Sequence, residues 1–141
     1  MSSIYHLVVG LAEDKETLGE IRTLHNLAND FYRANDFDRA IEHYTKALEI
    51  NPKLVETYFN RGLAHTRKLD YENAVSDFTV VLELNPNVAE AYYTRGLIYE
   101  YTQEYELAIK DYKRALEINP AYKKAKEQLD ATLKKRKSVS G

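Results

Sequence analysis

The 141-residue sequence has no cysteine and no tryptophan, one methionine, three prolines and five glycines. Without cysteine no disulfide framework can form, which suits a reducing compartment. The few glycines leave no phosphate-cradling loop. No two histidines stand at i, i+4 on one helical pattern, so the usual helical metal pair is missing, and no serine is set beside a histidine by sequence logic. Catalysis, a metal and a cofactor are therefore not expected. Net charge is −2, and it is uneven: residues 121–141 carry +5 and the rest −7. An acidic body with a basic tail is not a nucleic-acid-binding body. The only apolar run outside the pattern described next, Ile4 to Ala12, falls short of the roughly 20 residues that span a bilayer. It also lacks the basic start of a secretory signal. A protein of the cytoplasm, not held in a membrane, is expected.

What the sequence does have is repetition. ALEINP closes at Pro52, VLELNP at Pro86 and ALEINP again at Pro120, so the three prolines stand 34 residues apart. A fixed period in this range marks stacked supersecondary units. Apolar residues in the second half of each period recur at offsets 0, 3, 4, 7, 10 and 11, as in Phe37, Ala40, Ile41, Tyr44, Ala47 and Leu48. That spacing makes one stripe on a helix. A second helical stripe precedes it, with Ala28, Gly62 and Gly96 at equivalent places. Short polar turns join the two, with Asp36 and Asp70 standing as N-caps. Each Asn-Pro ends the second helix, because the residue before proline is pushed out of the α region. Tyrosine is plentiful, twelve against four phenylalanines, and its polar tip places many of these rings half-buried or at a binding surface.

The small residues at 28/62/96 and at Ala40/Ala74/Ala108, the rings at Phe31 and Tyr99 and at Tyr44/Phe78/Tyr112, and the terminal prolines resemble the tetratricopeptide repeat (TPR). The resemblance covers residues 21–122. It implies an all-α, right-handed superhelical solenoid of three helix-turn-helix hairpins, at 21–54, 55–88 and 89–122. Residues 123–137 are similar to the helix that closes such arrays, with Ala125, Leu129 and Leu133 as its apolar face. Residues 1–20 are an N-terminal extension, expected to add a helix over the first hairpin, to pair with another copy of the chain or to lie in the groove as an internal ligand. Residues 138–141 are expected to be a disordered tail. The KKRK before it reads as a solvated helix end, with a nuclear address as the minority reading.

Within the repeats, Arg61 and Arg95 replace Leu27 of the first unit, and Asp77 and Asp111 replace His43. Antiparallel hairpins place each arginine across from its aspartate, which predicts two salt bridges. As exposed pairs these would contribute about 0–1 kcal/mol each. His65 falls in the column of Phe31 and Tyr99 and reads as a packing residue.

The resemblance also implies where function lies, on the concave face built by the first helix of each hairpin. Carried over column by column, it names His25, Asn29, Tyr32 and Arg33 from the first unit. The second gives Phe59, Asn60, Leu63 and Arg67, and the third Tyr93, Thr94, Leu97 and Tyr101. Phe59, Leu63, Tyr93, Leu97 and Tyr101 read as an apolar strip for a ligand, the competing account being a wedge against the next hairpin. In chaperone-binding TPR proteins, asparagines in the columns of Asn29 and Asn60 join three cations to clamp a C-terminal carboxylate. Here the cationic columns hold His25, Glu90 and Thr94, so the clamp is degraded, and the asparagines are also suited to gripping a peptide backbone. Arg22, Arg33 and Arg67 against Glu90 and Glu100 predict a charge split along the groove. The implied function is a non-catalytic adaptor binding a protein or peptide in its groove. A self-assembling module or a co-chaperone is the alternative.

Overall fold

This computed structural model describes the backbone of residues 2–140 and the side chains of residues 14–139. The described residues form seven helices and no strand: α1 (Ser2–Arg33), α2 (Phe37–Ile50), α3 (Val55–Arg67), α4 (Tyr71–Leu84), α5 (Ala89–Tyr101), α6 (Tyr105–Ile118) and α7 (Lys123–Ser140). Each packs on the next in chain order, giving three hairpins and a closing helix stacked as a solenoid. None of these helices is long and apolar enough to cross a membrane.

The turns repeat in detail. Asn35, Leu69 and Gln103, 34 residues apart, all take a left-handed backbone near φ 62–63°. At the first turn Asp36 N–H donates to the Phe31 carbonyl and Asn35 N–H to that of Tyr32, the Schellman pairing, and the other two turns copy it. Asp36 and Asp70 then cap the following helix, accepting from the backbone N–H of Arg39 and Asn73, while Glu104 makes no such bond. At the far end of each hairpin the Asn of the Asn-Pro signature accepts from the N–H two residues on, at Lys53, Asn87 and Ala121. Proline stops the helix, and asparagine shapes the turn that follows it.

The core is the predicted pair of stripes. Ala28, Ala40, Ala74 and Ala108 are fully buried, and Tyr44, Phe78 and Tyr112 fill the seams between helices. Glycine is required where those rings come closest. A Cβ on Gly96 would stand 2.7 Å from Cε1 of Tyr112, and one on Gly62 3.0 Å from Cζ of Phe78. Alanine is favoured over glycine in a helix by about 1 kcal/mol, whereas overpacking costs about 1–3 kcal/mol. At Gly62 a shift of a few tenths of an ångström relieves the contact and the two effects nearly cancel. At Gly96 the ring is held by its hydroxyl and has to be displaced. Gly96→Ala is therefore expected to be less stable than Gly62→Ala by about 1 kcal/mol in urea unfolding; the opposite order would refute this packing account.

Two expectations change, and a third lies outside the described residues. The extension at 1–20 is not a separate element, since α1 runs unbroken through residue 20 to Arg33. The apolar run at 4–12, expected to cover the hairpin or a second copy, has its side chains outside the described residues. The end of the chain, expected as disordered from residue 138, is helical as far as Ser140. Here helical hydrogen bonding simply continues past the last apolar contact.

The two salt bridges form, but they are not exposed pairs. Arg61 Nε and Nη2 donate to Asp77 at 2.8 and 2.7 Å, and Arg95 does the same to Asp111. The aspartate side chains are only 5% exposed and the arginines 19% and 17%. The remaining Nη1 reaches back to the preceding hairpin, to Thr45 from Arg61 and Thr79 from Arg95, at 3.1 Å each. The bridges thus join hairpins as well as closing them.

Candidate binding groove

The first turn of hairpin chemistry visible from outside lies between α1 and α3. Asn29, Tyr32 and Arg33 of α1, Asn60 and Leu63 of α3 and Tyr44 of α2 line an open cavity of about 330 Å³. Tyr44, buried at its base, donates its hydroxyl hydrogen to Asn29 Oδ1. Burial, followed by neighbouring Tyr32, pushes its pKa up to about 12, so the hydroxyl stays a donor. Asn60 Nδ2 lies 3.3 Å from Asn29 Oδ1 and 3.5 Å from His25 Nε2, and His25 Nδ1 lies 3.0 Å from Thr57 Oγ1. Asn29, Asn60 and His25 are thus brought into one network with Tyr44 and Thr57. Arg33 at the rim donates to Asp30 at 2.9 Å.

The apolar strip divides. Phe59 packs edge-on against Phe78, centroids 5.4 Å apart, and Phe59 and Leu63 both pack onto the buried cluster of Ala74, Phe78 and Ile98. Phe59 therefore acts mainly as the wedge between hairpins, while Leu63 also faces the cavity. Tyr93 packs at a tilt against Tyr122, centroids 5.0 Å apart, and against Tyr112 at 6.0 Å. Leu97 is partly buried. Tyr101, 70% exposed, lies against Tyr71 at 5.0 Å, and Arg67 lies over Phe37 at 4.8 Å. These last two occupy equivalent places on successive hairpins, each covering the first residue of the preceding second helix at the turn edge. Thr94 donates its hydroxyl to the Glu90 carbonyl.

Charge is arranged differently from the expected split along the groove. Glu100 is buried and accepts from Tyr112, Gln128 and Lys135 at 2.8, 2.9 and 2.6 Å. Its charge is answered internally and not offered to a ligand. What remains is a split across the groove. Glu56 and Glu90 sit in the first turns of α3 and α5, Arg33 and Arg67 in the last turns of α1 and α3. His65 is a packing residue with Nδ1 buried and without a hydrogen bond; burial holds its pKa below the ordinary value. Among the described residues no group of three or more His, Asp or Glu is placed to hold a metal ion.

Tetratricopeptide repeat models match residues 28–68, 55–88 and 89–122, together most of the chain. The chain belongs to the tetratricopeptide repeat family. Its hairpins form the all-α, right-handed superhelical solenoid of that family. A solved neighbour, described as the first TPR of Spaghetti (RPAP3) bound to the HSP90 peptide SRMEEVD, superimposes with a TM-score of 0.79 at 28% identity, covering 87% of this chain and 95% of that one. The first TPR domain of human RPAP3 gives 0.77 at 29% identity, covering 84% and 94%. Among curated proteins, serine/threonine-protein phosphatase 5 of Rattus norvegicus is 41% identical over 51 residues, which is 36% of this chain and 10% of the phosphatase. The chain thus matches about a tenth of that relative's length.

Against the TPR carboxylate clamp, both asparagines are present and share one cavity. The three cationic columns are not filled by cations. Glu90 is exposed in one of them, and His25 in another is engaged by Thr57 and Asn60. The involvement of Tyr44 was missed from the sequence, where it read as core alone. The signal available was the change from Tyr44 to Phe78 to Tyr112 in one column, since a buried hydroxyl implies a partner.

Proposed function

We propose that this TPR chain is a non-catalytic adaptor that receives a peptide segment of a partner protein in the groove crossing α1, α3 and α5. The observation that carries this reading is the cavity in which Asn29, Asn60, Tyr32, Arg33 and Leu63 leave polar capacity and apolar surface facing open space. A concave site where a few convergent polar groups meet apolar surface is what ligand recognition uses. The neighbour with 28% identity is described with an HSP90 peptide bound, which supports a peptide as the kind of ligand. The same neighbour makes a chaperone tail the first ligand to try, although Glu90 stands where that ligand's acidic end would call for a cation.

Peptides selected from a displayed random library test the reading by titration calorimetry. Asn60→Ala with Tyr93→Ala should weaken the selected peptides by about tenfold or more, the loss of one or two good hydrogen bonds and a stacking face. Unchanged affinity in that double variant, with its helical content intact, would remove the groove as the binding site.

A further inference from the structure

The polar network at the base of the groove fixes which way each amide faces. Tyr44 is a buried donor and its partner is Asn29 Oδ1. The same oxygen lies 3.3 Å from Asn60 Nδ2, so Asn29 Oδ1 accepts twice and its NH₂ is left over. Asn60 Nδ2 also approaches His25 Nε2 at 3.5 Å. Only an NH₂ group serves two acceptors at once, so His25 Nε2 carries no hydrogen and the ring proton is on Nδ1. That proton meets Thr57 Oγ1 at 3.0 Å, on a side chain that is buried. One chain of donors and acceptors thus runs Tyr44, Asn29, Asn60, His25, Thr57. Reversing any amide in it would set two donors or two acceptors against each other.

The leftover ends are a donor on Asn29 and an acceptor on Asn60, both lining the cavity. A carboxylate offers acceptors only, and opposite Asn60 Oδ1 it would meet another acceptor. Charge adds to this. Glu56, 81% exposed, lies 3.8 Å from His25 Nε2, and the charge of Arg33 on the other rim is partly offset by Asp30 at 2.9 Å. A peptide unit offers one acceptor and one donor together. We infer that Asn29 and Asn60 read a peptide unit of an internal stretch of the partner chain, donating to its carbonyl and accepting from its N–H, and that the groove has no requirement for a free C-terminal carboxylate. The inference rests on the peptide-binding reading above and specifies its ligand: main chain, not chain end.

Two measurements test it. In the free protein, long-range ¹H–¹⁵N spectra of His25 should show the neutral Nδ1–H tautomer. The Nε2–H tautomer would reverse Asn60 and overturn the inference whatever binds. Random heptapeptides are then displayed in two formats, one ending in a free carboxyl group and one inserted between Gly-Ser linkers. The same core motif should be enriched in both, and its synthetic free-acid and carboxamide forms should bind within about threefold of each other. Enrichment only at a free terminus, or a loss of about tenfold on amidation, would overturn the inference while leaving a peptide-binding groove in place. If neither format enriches sequences that the wild type binds and Asn29→Ala/Asn60→Ala does not, the groove reading itself falls, and this inference with it.

Discussion

Asp111→Ala should destabilise the fold by about 3 kcal/mol, toward the lower end of what removing one partner of a buried ion pair costs. At this chain length that corresponds to a fall of about 10 °C in the melting temperature. Asp111 itself is 5% exposed and takes two parallel bonds from Arg95. Its loss strands a guanidinium that keeps only Thr79 and the faces of Tyr92 and Tyr99. Arg95 is 17% exposed, and the water this admits is why the lower end applies. Replacing the whole pair by leucines, Arg95→Leu with Asp111→Leu, should cost under about 1 kcal/mol, because no uncompensated charge is then buried. Urea unfolding followed by helical circular dichroism decides both. A single variant within about 0.5 kcal/mol of wild type would show that the pair is solvated and adds little.

The pair's third bond explains where this ladder ends. It needs a threonine on the preceding second helix, which Thr45 and Thr79 supply. In the first hairpin Leu27 and His43 stand in the places of the charges, with His43 tilted against Phe31 at 5.1 Å. After the third hairpin the threonine place holds Lys113 and the arginine place Leu129, so the ladder stops at the closing helix.

The repeats, their helices, the caps at Asp36 and Asp70 and the arginine–aspartate pairing were all legible in the sequence, because each is local or recurs at a fixed offset. The groove was legible only as columns. Columns place Asn29 and Asn60 on one surface, but they do not say that a tyrosine from the packing face reaches up to orient them. Glu100 shows the same limit more sharply. Its column holds Tyr32 and Thr66 in the other hairpins and points to the groove, yet the carboxylate turns inward. Tyr112 of the same hairpin is one partner, but the other two lie on the closing helix, 28 and 35 residues away, outside the repeat comparison. Burial was misjudged for a related reason: the arginine–aspartate pairs looked exposed on single helices and are covered only when hairpins stack.

Glu100 is also where the closing helix is fastened, and its loss should be felt there first. Glu100→Ala removes the acceptor of the fully buried Tyr112 hydroxyl and two bonds from α7. An unsatisfied buried hydroxyl costs about 1–3 kcal/mol and a charge-assisted bond about 1.5–3 kcal/mol, so a total loss of about 3 kcal/mol is expected once the exposed Lys135 is discounted. Because neighbouring repeats stabilise one another, amide exchange should quicken in α7 before it does in α1–α4. Burial alone would raise the Glu100 pKa, but the bonds from Lys135, Gln128, Tyr112 and Thr132 outweigh it and hold the carboxyl below its ordinary value of 4.5. A folded-state pKa depressed in this way adds stability above the ordinary value, and that stability is lost as pH falls through 4.5 toward the folded value. Glu100→Gln keeps an acceptor for Tyr112 but carries no charge to titrate. Acidification from about pH 7 to about pH 3.5 should therefore lower the melting temperature of wild type more than that of Glu100→Gln. Equal losses in the two proteins, or α7 amides as protected in Glu100→Ala as in wild type, would mean that the closing helix is held by Ala125 and its apolar neighbours without this carboxylate.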